Sequence, residues 1–81
     1  MILSLQPIRI RTESNDGEGR LVLAEGVLVA ILARLSADHG AAAGYWFLEA
    51  GFGSLAYPRP PAFLDLTTAL DWITQRCDQR P

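Results

Sequence analysis

The sequence predicts an α+β domain: an antiparallel four-stranded β-meander with one C-terminal amphipathic helix on one face. Three observations carry this. Segments near residues 7–12, 20–24, 27–35 and 44–50 are rich in alternating or β-branched apolar residues. Polar or glycine-bearing turns separate them. The one stretch with a clear 3.6-residue period, about 65–77, comes last. The 81 residues form a single small domain, 1–81, near the size at which one core is barely sufficient.

Pro7-Ile8-Arg9-Ile10-Arg11-Thr12 alternates apolar and charged residues, the mark of a half-buried strand. Glu13 to Gly19, ESNDGEG, is a polar turn cluster and is expected to be the most mobile internal segment. Arg20–Ala24 and Val27–Leu35 read as a hairpin folded at Glu25-Gly26. A rival reading makes VAILARLSADHG a helix closed by Gly40; Val27, Val29 and Ile31 at period two favour the strand. Asp38 to Ala43 is a connector. The next strand, 44–50, contains Tyr45-Trp46-Phe47, and Gly51-Phe52-Gly53 ends or bulges it. Pro58-Arg59-Pro60-Pro61 is a stiff extended link. The helix follows, with Asp65 as N-cap.

On that helix Phe63, Leu66, Leu70, Ile73 and Cys77 share one stripe, and Trp72 lies almost opposite. Trp72 is therefore either an interface residue or a ring folded back over a neighbouring loop. In the sheet, strict alternation gathers Ile8, Ile10, Leu21, Leu23, Val27, Val29, Ile31, Ala33, Leu35, Trp46 and Leu48, and the helix is expected there. The other parity combines Arg9, Arg11, Arg20 and Arg34 with Val22, Leu28, Leu32, Tyr45, Phe47 and Glu49. One helix covers one face, so an apolar, aromatic second face is left over.

Composition narrows the function. Net charge is −2 and the isoelectric point about 5.1, which argues against general affinity for nucleic acid or acidic membranes. All basic residues are arginine. The single cysteine, Cys77, cannot form an internal disulfide and suits a reducing cytoplasm. No signal peptide is read in the N-terminal segment, and no apolar run approaches the roughly 20 residues of a membrane span. His39, beside Asp38 and Gly40, has no hydroxyl or thiol nucleophile near it in sequence and reads as a solvated turn residue. Cys77 reads as a small buried hydrophobe. One Cys and one His make no zinc site. Glu13, Asp16 and Glu18 share a loop without a calcium-binding pattern. Gly51-Phe52-Gly53 lacks phosphate-loop spacing, and Pro58–Pro61 resembles a polyproline ligand only loosely.

The sequence therefore points to a non-enzymatic interaction module without cofactor or metal. It is expected to associate, as a homodimer or with another protein, through Leu28, Leu32, Tyr45, Phe47 and Trp72. The alternative is an Arg/aromatic platform in which Arg9, Arg11, Arg20 and Arg34 hold an anionic ligand or single-stranded nucleic acid.

Overall fold

A computed structural model describes residues 2–12 and 14–77. Four strands, β1 (Leu3–Arg9), β2 (Glu18–Ala24), β3 (Val27–Arg34) and β4 (Trp46–Gly51), form one antiparallel sheet in the order β1-β2-β3-β4. Short 3-10 segments, Ala37–Ala42 and Gly53–Leu55, follow β3 and β4, and helix α1 (Leu66–Cys77) ends the described chain. The α+β meander expected from the sequence is the observed fold, and the strand reading of 27–35 prevails over the helical one.

The β2–β3 turn explains itself locally. Glu25 and Gly26 have φ of 53° and 80°, the double positive φ of a type I′ hairpin turn. Glycine takes that conformation freely, whereas glutamate pays a steric cost. β1 starts earlier in the chain than expected, because Leu3 and Leu5 pair with Ala24 and Val22. Ile10, Arg11 and Thr12 lie beyond the strand, and the Ile10 amide donates to the Gly17 carbonyl at 2.8 Å.

The face assignment from strict alternation is corrected by cross-strand register. Arg34 pairs with Trp46 and Leu32 with Leu48, while Arg20 pairs with Leu32 and Val22 with Ala30. Directly paired residues share a face, so Val22, Ala30 and Leu32 join Trp46 and Leu48 beneath the helix. Leu21, Leu23, Ile31 and Ala33 take the other side. Two β-bulges break the simple count: Val29 and Glu49 have no partner in the ladders. The arginines at 20 and 34 stand on the helix side all the same, because they sit toward one end of the strands.

The core consists of Val22, Ala30, Leu32, Trp46, Leu48, Leu55, Phe63, Ala69 and Ile73. Leu32, Ala69 and Ile73 have no exposed surface, and each large aliphatic side chain so buried contributes roughly 1.5–3 kcal/mol. The expected helix stripe is seen, with Ala69 at its centre and Leu66, Leu70 and Cys77 packed around it. Asp65 caps the helix, its Oδ1 accepting from the Thr68 amide and hydroxyl, both at 2.8 Å. Those bonds hold the Asp65 carboxyl below its ordinary pKa.

The outer edge of β4 is sealed by the segment that leads into the helix. Trp46 and Phe63 exchange backbone hydrogen bonds of 2.8 and 2.7 Å, and Arg59 Nη2 donates to the Leu48 carbonyl at 2.8 Å. An edge covered in this way offers little to another strand.

Two substitutions test the backbone reading. Glu25→Asn relieves the positive φ and is expected to raise stability by roughly 0.5–1 kcal/mol. In Gly51→Ala the new Cβ would fall on the Leu55 carbonyl group, a clash no rotamer change relieves, with an expected loss of about 1–3 kcal/mol. Urea unfolding midpoints decide both. Equal midpoints for all three proteins would refute the turn and close-approach assignments.

Candidate functional site

The face turned away from the helix carries Ile8 on β1, Leu21 and Leu23 on β2, and Leu28, Ile31 and Ala33 on β3, with Phe47 on β4, as the register requires. Most of these are half-buried, Ala33 is buried and Leu28 is exposed. Its β1 margin is polar, with Ser4 and Gln6 opposite Leu23 and Leu21. Glu49, the bulge residue, brings a charge to the β4 margin.

The residues singled out from sequence divide between the two sides of the sheet. Leu28, Tyr45 and Phe47 stand with the open face. Tyr45 lies next to Leu35, whose amide donates to its carbonyl at 2.8 Å. Leu32 does not belong there: it is fully buried in the core. Trp72 is half-buried on the helix side, its ring 5.7 Å from Phe63 and capped by the Arg76 guanidinium at 5.4 Å. It lies three residues beyond the buried Ala69, so it flanks the core stripe and folds back against Phe63.

The four arginines are likewise redistributed. Arg9 pairs in register with Glu18. Glu18 forms ion pairs with Arg20 at 3.3 Å and Arg34 at 3.6 Å. Arg20 also lies 5.2 Å from the centre of the Trp46 ring. These three flank one carboxylate on the helix side, whereas Arg11 is exposed beyond the end of β1. Tyr45 and Phe47 are on the opposite side. The cation over Phe47 is instead Arg59, at 5.6 Å. The sheet thus puts Arg9, Arg20 and Arg34 on the side opposite Tyr45 and Phe47.

At one end of the open face the 10–17 loop and the Ala37–Ala42 segment enclose a hollow of about 380 Å³. Ala33, Leu35 and Phe47 give it an apolar floor. Thr12, Ser14, Asp16, His39 and Glu49 supply its polar lining. Within this segment, expected to be mobile, Asn15 and Asp16 bond to the Ser36–His39 stretch. Asp16 Oδ1 accepts from the Ser36 amide at 2.7 Å, Asp16 Oδ2 meets His39 Nε2 at 2.7 Å, and Asn15 Nδ2 donates to Asp38 Oδ2 at 2.7 Å. Glu13 lies outside the described residues.

His39 is therefore not a free turn histidine. Its side chain is 39% exposed, and it lines a hollow while paired with a carboxylate 23 residues earlier rather than with Asp38. The pair is still not a hydrolytic constellation. Ser14 Oγ accepts from the Asp16 amide at 3.2 Å and lies 3.2 Å from Thr12 Oγ1. Neither hydroxyl bonds to His39, so neither is activated as a nucleophile. Among the described residues no group of three or more His, Cys, Asp or Glu side chains could hold a metal ion. Sequence reasoning missed the Asp16–His39 pair because it joins two loops, and no local spacing signals such a contact.

Compared with protein families, curated proteins and solved structures, the chain matches none. Its functional reading therefore rests on its own geometry.

The Asp16 bonds set a pH dependence. The Ser36 amide, with His39 and Ser14 assisting against partial desolvation, holds the Asp16 carboxyl at about 2, below the ordinary 3.8. A depressed carboxyl stabilises the native loop fully above its unfolded pKa, and the effect is lost as pH falls through the folded value. The Ser36 amide is accordingly expected to stay protected from hydrogen exchange at pH 4 and to open as pH drops toward 2. In Asp16→Ala its protection should fall by roughly tenfold or more at neutral pH, as befits one lost charge-assisted bond. Unchanged exchange in that variant would show that the loop is held by other means.

Proposed function

We propose that this chain is a non-enzymatic interaction module that self-associates as a homodimer, two copies packing their open sheet faces together. The observation that carries the proposal is the apolar centre of that face, Leu21, Leu23 and Ile31, over which no helix packs among the described residues. The arrangement has the anatomy of an interface, an apolar middle inside a polar rim formed by Ser4, Gln6 and Glu49.

A second copy suits this face better than a charged partner. The middle of the face holds no charged residue, so it offers no attraction to an acidic or basic surface, and an apolar surface complements itself under two-fold symmetry. Size agrees. Four strands of about seven residues span a plane of roughly 19 by 23 Å. Corrugated by side chains, two such planes reach about the 1,200 Å² at which specific interfaces begin. With roughly 65% of it apolar, at about 25 cal/mol per Å², the gross gain is near ~20 kcal/mol. That exceeds the ~4–15 kcal/mol lost in association. Stacked sheets about 10 Å apart are a common solution for such faces.

Among the described residues no helix is long and apolar enough to cross a membrane, and the one cysteine suits a reducing, cytoplasmic setting. Both fit a module that meets its partner in water. The anionic-ligand alternative is the less favoured reading, because Arg9, Arg20 and Arg34 stand on the side of the sheet opposite Tyr45 and Phe47.

Sedimentation equilibrium at 10–200 μM reads the outcome. The expected species has twice the 8.9 kDa mass of the chain. Leu21→Glu and Leu28→Glu, which put charge on the open face, are expected to give folded monomers with native circular dichroism. A wild-type protein that stays monomeric throughout that range would sink the proposal. So would a dimer that tolerates both substitutions.

A further inference from the structure

We propose that the hollow under the 10–17 loop is a binding site for a small organic cation, an ammonium group carried on an aromatic or aliphatic body. The site is assembled within one chain and does not depend on self-association.

Its volume, about 380 Å³, lies in the range of small-molecule sites, roughly 300–1,000 Å³. Its chemistry is divided as such sites are, an apolar floor with a few polar groups at the wall. The floor, with the Phe47 ring flanked by Ala33 and Leu35, fits a flat or branched hydrocarbon body.

The wall has a definite sign. Among the described residues no arginine lines the hollow, and the Arg59 guanidinium over the Phe47 ring is not part of its lining. Asp16 and Glu49 are its carboxylates. Both Asp16 oxygens are engaged, one by the Ser36 amide and the other by His39. Glu49 has no hydrogen-bond or ion-pair partner among the described residues. It is also the unpaired bulge residue of β4, the kind of position that aims a side chain away from the regular ladder. An exposed carboxylate beside an apolar floor suits a cation that carries its own apolar body. The Asp16 bonds keep the far wall in place before any ligand arrives, so little ordering remains to be done on binding.

Phenethylammonium is the probe, with 2-phenylethanol as neutral isostere and 3-phenylpropanoate as its anionic counterpart. Isothermal titration and amide chemical shifts are measured at low salt. Phenethylammonium is expected to saturate at one per chain, with shifts centred on Ala33, Leu35, Phe47 and Glu49. The alcohol should bind at least about tenfold more weakly, and the acid more weakly still. Glu49→Gln should lose about tenfold in affinity for the amine with an unchanged thermal midpoint. Asp71→Asn, which removes a carboxylate of the helix, should bind as wild type does. Added salt should weaken binding of the amine and leave that of the alcohol unchanged. Equal affinity for amine and alcohol, preference for the acid, equal losses in the two variants, or failure to saturate would each overturn the proposal.

Discussion

A sheet with two apolar faces and a chain with a single long helix set the terms for everything else in this molecule. α1 has 12 residues, about 18 Å at 1.5 Å per residue, enough to span one face of four strands. The register decides which face it takes. Trp46 and Leu48 draw Leu32 and Val22 to their side, and the Trp46–Phe63 backbone pair fixes where the incoming segment lies. Leu55 and Phe63 are then buried with Ala69 and Ile73 in one continuous core. The opposite face keeps its leucines and isoleucine in reach of solvent, and an uncovered apolar layer of that size is the main physical fact a function must explain.

The sheet also separates charge. Arg20 and Arg34 flank Glu18 on the helix side, and Arg20 stacks on the Trp46 ring. Exposed pairs like these add little to stability, typically 0–1 kcal/mol, but they keep Arg20 and Arg34 on the helix side. On that face the charged groups are peripheral: Glu49 at the margin, Asp16 with His39 at one end and Arg59 over the Phe47 ring on β4. One side of the sheet therefore offers a cationic border and the other an apolar centre with an acidic corner. Asn15 and Asp16, which build this corner, are held by hydrogen bonds to the Ser36–His39 stretch.

Much of the fold was legible because it is written in local period and punctuation. Alternation marked the strands, Glu25-Gly26 marked the hairpin, Asp65 and the apolar stripe marked the helix, and each of these signals acts over a few neighbouring residues. The face assignment was not legible in the same way. Both parities of β2 and β3 are apolar, so hydropathy alone does not say which one meets the helix. A bulge at Val29 or Glu49 changes parity through a single unpaired residue that has no sequence mark of its own. Leu32 was accordingly read onto the open face, and Trp72 could not be settled from its position on the helix alone.

What the sequence determined by itself is an excess of apolar surface over what one layer of helix can cover, along with the strands, turns and cap that display it. Those follow from short-range sterics and hydropathy. Tertiary structure decided which leucines are core and which remain on the open face. It also parted Arg9, Arg20 and Arg34 from Tyr45 and Phe47, and joined Asp16 to His39 across 23 residues. Such outcomes depend on strand register and on side chains brought together from distant segments, and packing settles them only when the whole sheet closes.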